Sequence, residues 1–542
     1  MASFMTSTRT YGTKGADVWE DTGSALLDYS IGAVRGASKE TLRKILSVSS
    51  EDAFVMAFHV RNIRGGRGER DVFKNTFLIL YERYPERTLS MLDLVPHYGC
   101  WDDLFDMTKD ADTQFTERVL DIAVKQLLED YTTPLEDAAE KKELSISLCA
   151  KWAPRERKKK DTHEMYLVRR LAKKMFPAEG LPRGLARYRR LVADLNRRIK
   201  TVETKMNTGH WAEIDPKGVP GRAGKLYSRA FLNLRNSDRS QIRKPGDADR
   251  MTCRRNFMAH FQAAAAGRSI VHGASTLFPH EIVEKAMNTD LRQEERDQLA
   301  AVWRSMVESI KSVGRGIEDC EIMCDFSGSM RRGIQGDTPF WVSLALGMLV
   351  SEITGRNRIM TFDSVPQWHT FPEGGDLFAK VQSISHHLGQ GLSTNFQAAY
   401  GLLVADVKLN KRPPPKFLLV LTDMNFDKAR GSEHGDRHHF QTDTVQTHAE
   451  MARETFRRLS EDVGKEYSAP VLGIWNLAAN PTDIQATASE EGVVMLSGWS
   501  ATQFKVLQEK GLRAVTPIEL LCIELYAPQY DLVRRRHAEV LD

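Results

Sequence analysis

The stretch that decides the fold of the C-terminal half reads Ile322-Met323-Cys324-Asp325-Phe326-Ser327-Gly328-Ser329. Its first three residues form a short apolar run, which is typical of a buried strand. The residues that follow satisfy the pattern D-x-S-x-S, which places one carboxylate and two hydroxyls at the end of that strand. Hard divalent cations prefer oxygen ligands, and Gly328 allows the loop to curl around an ion. We therefore predict a site for Mg²⁺, or another divalent cation, on Asp325, Ser327 and Ser329.

The segments after this stretch alternate between apolar runs and helical patterns. Apolar runs lie at residues 357–362, 416–422, 470–475 and 493–496, and helical periodicity is present around 339–354, 395–408, 443–461 and 500–510. Regular alternation of strands and helices predicts a parallel sheet covered on both faces, which is a Rossmann-like α/β domain. Ligands of such sheets bind at the carboxyl ends of the strands, which is where Asp325 falls.

Two later loops supply the remaining ligands of the predicted metal site. Ser393 and Thr394 follow Gly389-Gln390-Gly391, and Asp423 follows the apolar run Phe417–Leu421. Because both loops are expected at strand ends, we predict that the hydroxyl of Thr394 and the carboxylate of Asp423 complete the set begun by Asp325, Ser327 and Ser329.

The first half of the chain is helical by pattern. Apolar residues recur at helical spacing from about residue 24 to 110 and again from Phe115 to Trp152, with a break at the glycine-rich run Arg64–Arg70. Helix pairs recur at intervals of roughly 30 to 40 residues, which predicts an α-helical, HEAT-like region over residues 24–317, after an N-terminal extension at 1–23. Residues 207–246 are rich in Gly, Pro and cations and are predicted to form a long loop.

Positive charge is concentrated in one fifth of the chain. The net charge of the whole protein is +4, but residues 151–255 contain 29 Lys and Arg against 11 Asp and Glu, a net charge of +18. The remainder has a net charge of −14. Such asymmetry is typical of proteins that bind nucleic acid, although a set of solvated helix faces would also produce it.

The cations of this segment alternate with apolar residues at helical spacing, so that cations occupy one side of a helix and Tyr166, Leu167 and Leu171 the other. The glycine-rich run before it could contact phosphate through guanidinium and backbone N–H groups, or it could be a plain helix–helix turn. The candidate phosphate-contacting residues are Arg64, Arg67, Arg70, Lys158, Lys159, Lys160, Arg169, Arg170, Lys173, Lys174, Arg189, Arg190, Arg197 and Arg198.

Several protein classes are disfavoured by the sequence. A chain of 542 residues exceeds one hydrophobic core, so at least two domains are expected. The longest apolar run is too short for a transmembrane helix, and the N-terminus lacks the core of a secretory signal. Six cysteines without regular spacing argue against a disulfide framework and favour the cytoplasm. No catalytic triad or Walker A motif is discernible, so we do not expect an enzyme.

The three metal-binding loops resemble those of von Willebrand factor A domains. The resemblance implies an A domain over residues 318–515 with a metal-ion-dependent adhesion site (MIDAS), at which Mg²⁺ keeps one position open for an acidic side chain of a protein partner. The third loop departs from the family pattern, because Met424 follows Asp423 where many members have glycine.

The whole arrangement resembles the Ro/TROVE family of ring-shaped ribonucleoproteins, or a relative of that family. Helical repeats, a basic middle and a C-terminal A domain carry this resemblance, together with Arg64–Arg70 and Gly99–Leu104 as motif segments. It implies that the segment 151–255 contacts single-stranded or structured non-coding RNA, and that a C-terminal helix at 516–542 packs back on the helical region.

Two alternatives remain open from sequence. The protein could be a metal-dependent scaffold that binds an acidic protein partner without specific RNA binding. His434, His438 and His439 could bind a transition metal if helical, but Gly435 and the polar neighbours favour a solvated loop.

Overall fold

The computed structural model describes most of the chain. The described residues are 7–136, 145–156, 162–235, 241–314, 319–331, 339–362, 365–385, 395–426, 447–479, 483–510 and 516–540. Within these ranges, no helix has both the length and the apolar composition needed to cross a lipid bilayer. The candidates Lys158, Lys159, Lys160 and Thr394, and the three histidines at 434, 438 and 439, lie outside the described residues.

Helices dominate residues 25–311. In chain order they are α1 Ala25–Gly32, α2 Lys39–Arg43, α3 Ser50–Arg61, α4 Arg70–Arg83, α5 Pro85–Ser90, α6 Val95–Tyr98, α7 Trp101–Met107, α8 Thr113–Thr132, α9 Cys149–Trp152, α10 His163–Met175, α11 Leu181–Ile199, α12 Val202–Thr208, α13 Gly221–Leu226, α14 Ser228–Phe231, α15 Ala248–Ala265, α16 Pro279–Ala286 and α17 Gln293–Lys311. The region predicted as a long loop at 207–246 therefore contains two short helices, α13 and α14. Phe231 of α14 is buried against α15, whereas Leu226 of α13 is exposed.

A six-stranded sheet forms the C-terminal part. Two short strands, β1 Arg9–Tyr11 and β2 Asp17–Trp19, pair as a separate N-terminal hairpin. The strands of the sheet are β3 Cys320–Asp325, β4 Arg358–Phe362, β5 Gln367–Thr370, β6 Phe417–Thr422, β7 Val471–Asn476 and β8 Val493–Ser497. Their helices are α18 Pro339–Thr354, α19 Leu377–Ser385, α20 Phe396–Asn410, α21 His448–Val463 and α22 Thr502–Lys510, and two terminal helices follow, α23 Pro517–Leu525 and α24 Asp531–Glu539.

The strand order is β5-β4-β3-β6-β7-β8, with every pair parallel except β4–β5. The predicted helical-plus-α/β layout is therefore present, with one correction. The sheet is mixed rather than wholly parallel, because the antiparallel edge strand β5 follows β4 after only four residues. A parallel return would need a crossover of a dozen residues or more.

Both faces of the sheet are buried. Successive side chains of each strand point to opposite faces, and helices cover each face. Ile322 and Cys324 of β3 face the cluster that contains α16 to α19. Met323 faces the opposite cluster, which contains α20 and α21 and continues without a break into the core of the N-terminal helices around Phe58. One hydrophobic core thus joins the helical region to the α/β region.

Candidate metal centre and nucleic-acid interface

The predicted metal site lies at the carboxyl end of the two central strands. Asp325 is the last residue of β3, and Asp423 directly follows the neighbouring strand β6. Because β3 and β6 are paired in parallel, their ends meet at one edge of the sheet. Both aspartates are buried, with Asp325 wholly inaccessible and Asp423 2% exposed.

Short hydrogen bonds hold the first loop. The backbone N–H of Ser327 donates to Asp325 Oδ1 at 2.8 Å, and the Thr422 hydroxyl donates to Asp325 Oδ2 at 2.9 Å. The hydroxyl oxygens of Ser327 and Ser329 are 3.1 Å apart. The structure therefore brings together Asp325, Ser327 and Ser329, in a loop that curls back onto the end of its own strand.

The third loop keeps the backbone shape that glycine would favour. Met424, which stands where many von Willebrand A domains have glycine, has a φ angle of +69°. Its N–H donates to the Thr422 hydroxyl at 3.1 Å, and the N–H of Asn425 donates to Asp423 Oδ1 at 3.1 Å. A non-glycine residue in the left-handed region is strained, so the loop geometry is imposed by its surroundings.

Like charges meet in this site. The pKa of Asp325 is raised to about 7, mainly by burial and in addition by the charge of Asp423, against hydrogen bonds from Ser327 and Thr422 that lower it. Two buried carboxylates of this kind favour either a shared proton or a bound cation. The carboxylates and hydroxyls present are the oxygen ligands that a hard divalent cation prefers. Asp325, Ser327, Ser329 and Asp423 would hold such an ion.

A third buried carboxylate adjoins the site and was not anticipated. Asp483 is 1% exposed, and its Oδ1 accepts a 2.8 Å hydrogen bond from the N–H of Thr13. Burial raises its pKa, and the charge of Asp423 adds to the shift. No sequence pattern marked Asp483, because its neighbours in the structure come from the far N-terminus. Among the described residues, no cluster of three or more His, Cys, Asp or Glu side chains could hold a metal ion, so the predicted site depends on its hydroxyls.

The candidate cations of the basic segment that the structure describes lie on two packed helices, α10 and α11. On α10, Arg169 and Lys173 are exposed one turn apart. Arg170 pairs with Glu117 of α8, and Lys174 lies 3.0 Å from Glu117 and 2.5 Å from Asp121. Half of the α10 cations therefore fasten the helix to α8, and the other half face solvent.

The cations of α11 divide in the same way. Arg189, Arg190 and Arg197 are exposed; Arg189 pairs with Glu156 at 2.8 Å and Arg197 with Asp194 at 2.7 Å. Arg198 instead donates to the carbonyl oxygens of Asp130 and Pro134, at 2.8 and 3.2 Å. Exposed pairs contribute little free energy and exchange readily with other anions, whereas Arg198 ties α11 to the end of α8.

The glycine-rich run connects α3 to α4 and is packed against the rest of the protein. The phosphate-contacting role predicted for Arg67 is wrong, because its side chain is buried. Arg67 is 2% exposed, and its guanidinium donates to the carbonyl oxygen and hydroxyl of Ser30. Its aliphatic part lies against Gly498, which follows β8. A Cβ on Gly66 would lie 2.0 Å from the carbonyl oxygen of His59, so only glycine fits there.

The other two arginines of the run differ in accessibility. Arg70 pairs at 2.7 Å with both Asp102 and Asp103, which fixes the start of α4 to α7. Arg64 is exposed and donates weakly, at 3.4 Å, to the carbonyl oxygen of His97. Arg64 alone among the three remains available to an external anion.

Two exposed aromatic side chains accompany the cations. Tyr166 was expected on the apolar side of α10, but it is 41% exposed and shares the solvent face with Arg169 and Lys173. Trp152 of α9 is 37% exposed, and the ammonium of Lys151 lies 5.6 Å from its ring centroid. The sequence could have predicted that Tyr166 shares a face with the cations. It precedes Arg169 and Lys173 by three and seven residues, which is the spacing of one helix face.

Comparisons with known proteins give two family matches. Residues 110–315 match a family described as a domain of unknown function (DUF2828), and residues 319–518 match another with the same description (DUF7788). An uncharacterized protein of Acanthamoeba polyphaga mimivirus is 26% identical over 522 residues, which cover 91% of this chain and 83% of the viral protein. The chain is therefore similar to that protein across both matched regions.

Proposed function

We propose that the protein binds single-stranded or structured RNA through the outer faces of α10 and α11. The observation that carries this proposal is the stripe of Tyr166, Arg169 and Lys173 on α10, where two exposed cations and an exposed aromatic ring share one helix face. Proteins that bind single strands combine such cations, which track phosphates, with aromatic rings on which bases stack.

The pairing pattern supports this assignment. Arg169 and Lys173 keep their charge directed to solvent, while Arg170 and Lys174 satisfy Glu117 and Asp121. If the segment were basic only to hold its helices together, all four cations would be expected to face carboxylates. Neutralising phosphates releases counterions, so binding through such a face falls steeply with salt.

A further proposal concerns the α/β region. We infer that it is a von Willebrand A-type domain and that Asp325, Ser327, Ser329 and Asp423 bind Mg²⁺. The buried, mutually repelling carboxylates support this proposal, because a cation would relieve their repulsion. The whole would then have the layout of a Ro-like ribonucleoprotein.

The RNA proposal is tested by filter binding. A fluorescent single-stranded RNA is titrated at about 50 and about 200 mM salt, the range over which phosphate-driven affinity changes most visibly. We expect binding at the lower salt and a large loss at the higher one. Absence of binding at the lower salt contradicts the proposal.

Matched variants locate the interface. Arg169→Glu with Lys173→Glu should weaken binding of all sequences alike and reduce the slope of log affinity against log salt by about 0.7 for each lost phosphate contact. Lys39→Glu with Arg535→Glu changes the net charge equally, at exposed cations outside the basic segment, and should leave more affinity. Equal losses in both double variants would point to net charge alone.

A second candidate function is a metal-dependent scaffold for an acidic protein partner, favoured by the position of the metal site at the carboxyl ends of β3 and β6, where sheets of this kind bind their ligands. EDTA or Asp325→Asn would then abolish partner capture while leaving RNA affinity unchanged. RNA binding that needs Mg²⁺ at this site would instead join the two functions.

A further inference from the structure

A cationic cavity lies between α13, α14 and α16, separate from the α10–α11 stripe and from the metal site. It has a volume of about 390 Å³ and is lined by Lys225, Leu226, Tyr227, Arg229, Arg243 and Lys285 among others. Cavities of this size accommodate small ligands. Of the described residues that line it, four are cations and none is a carboxylate.

Two carboxylates that do not line the cavity pair with its cations. Glu281 lies 2.5 Å from Lys225 and 3.0 Å from Arg222, so one negative charge serves two cations. The wholly buried Glu295 lies 3.5 Å from Arg229. Lys225 therefore shares its carboxylate with Arg222, and Arg229 is held at a longer distance.

Arg243 is positioned at the cavity by its backbone rather than by a carboxylate. Its N–H donates to the carbonyl oxygen of Asn233 at 2.6 Å, and the next N–H, of Lys244, donates to Asn233 Oδ1 at 3.2 Å. An antiparallel bridge between Leu234 and Ile242 completes this turn. Within the described part of the chain, Arg243 makes no salt bridge and its side chain is exposed.

The positive charge of Arg243 lies close enough to Arg250 to act on its ionisation. Burial lowers the pKa of Arg250, and the charge of Arg243 lowers it further. Like charges held near each other favour the binding of an anion between or beside them.

We propose that this cavity binds a phosphate monoester, with the guanidinium of Arg243 and the ammonium of Lys285 contacting its oxygens. A monoester carries nearly two negative charges at neutral pH and three strong acceptor oxygens, which suits a cavity lined by several cations. Tyr227 and Leu226, the latter 70% exposed, offer apolar surface to the organic group. The monoester comes either from a small phosphorylated metabolite or from the 5′ end of an RNA, and the second source rests on the proposed function.

The first test uses isothermal titration calorimetry on the full chain with adenosine 5′-monophosphate, and with adenosine as the probe that lacks phosphate. We expect the monophosphate to bind at least tenfold more tightly than adenosine. Arg243→Gln should remove at least that factor, about 1.4 kcal/mol. Arg535→Gln, at an exposed arginine of α24, is the matched control and should bind like the parent.

The second test compares two RNA oligonucleotides of one sequence, with a 5′-phosphate or a 5′-hydroxyl. Tighter binding of the phosphorylated strand, lost in Arg243→Gln, assigns the monoester to an RNA end. Equal binding of the two strands, with Arg243-dependent binding of the nucleotide, assigns it to a metabolite.

The proposal is overturned if neither probe distinguishes phosphate from hydroxyl, or if Arg243→Gln and Lys285→Gln, with unchanged thermal unfolding, bind both phosphorylated probes like the parent. Equal, salt-sensitive binding of both strands with no nucleotide binding overturns this cavity site while leaving RNA binding by α10 and α11 intact.

Discussion

Asp325 and Asp423 place two carboxylates inside the protein at the ends of adjacent strands, where the charge of Asp423 disfavours the charged form of Asp325. Asp325 is also hydrogen-bonded through both of its oxygens, so its shape is needed even where its charge is unfavourable. The substitution Asp325→Asn separates these two effects, because an amide has the shape of a carboxylate without its charge.

Asp325→Asn should therefore unfold at the same temperature as the parent in EDTA, or at a higher one, because the repulsion with Asp423 is removed. In the parent, Mg²⁺ at about 100 times its Kd should add about 2.7 kcal/mol. The variant should lose this increment. Thermal unfolding with and without Mg²⁺ measures both effects, and an equal Mg²⁺ shift in the two proteins would contradict the metal assignment.

Arg67 is a buried cation that connects the segment between α3 and α4 to α1 and to the end of β8. The carboxylates of Glu69 and Glu524 act on its charge, and Ser30 accepts from its guanidinium. Arg67→Met should lower the free energy of unfolding by about 3–5 kcal/mol, because charged groups lose their buried partner. Arg64→Met, three residues earlier and exposed, should change it by less than about 0.5 kcal/mol. Urea unfolding measures both; similar values would contradict this role.

Sequence reasoning could place Asp325, Ser327, Ser329 and Asp423 together, because strand ends that follow apolar runs meet at one edge. It could not foresee the burial of Arg67. Ser30 and Gly498, which enclose that side chain, are distant along the chain, and no local pattern distinguishes an enclosed arginine from an exposed one.

At the scale of single elements, α10 separates two uses of positive charge. Arg170 and Lys174 face the acids of α8, whereas Arg169 and Lys173 face solvent. The two pairs are adjacent, have the same charge and lie on the same helix. They are therefore matched controls for each other.

Charge reversal of Arg170 and Lys174 should lower the free energy of unfolding by roughly 1 kcal/mol, because two surface ion pairs become repulsive. Charge reversal of Arg169 and Lys173 should leave stability nearly unchanged and weaken RNA binding more. Urea unfolding and filter binding on the two double variants measure this. The reverse ranking would place the RNA elsewhere.

The bounds of strands that are buried on both sides could be predicted to within about two residues, as β6 and β7 illustrate. Their apolar runs are long enough to be recognised as buried strands from the sequence. The edge strand β5 was missed. Its four residues Gln367–Thr370 pair with β4 alone and are partly exposed, so they contain no apolar run that would mark a strand. The hairpin of β1 and β2 was missed because its few residues are stabilised by contacts with the distant segment around Ile484.

At the scale of the whole molecule, the C-terminal helices α23 and α24 pack against α3 near the N-terminus. His59 of α3 donates to or accepts from the Tyr530 hydroxyl at 3.1 Å, and it lies 3.4 Å from Glu524. The ring of Phe54 lies 6.1 Å from that of His537. The terminal helices α23 and α24 therefore cover the N-terminal helices.

A chain that stops at Thr516 should lose protection from hydrogen exchange in α3, because the face that contains His59 would then meet water. A chain that stops at Val540 retains both helices and should exchange like the parent. Exchange measured by mass spectrometry tests this, and unchanged protection of α3 in the shorter chain would show that the terminal helices are dispensable.

The pairing of His59 with Tyr530 also has a consequence in time. The two residues are separated by 471 positions. At a synthesis rate of about 5–20 residues per second, α3 would leave the ribosome roughly 20 to 90 seconds before its partner is made. During that interval its aromatic surface would be uncovered, and a nascent chain in this state is a natural client for chaperones.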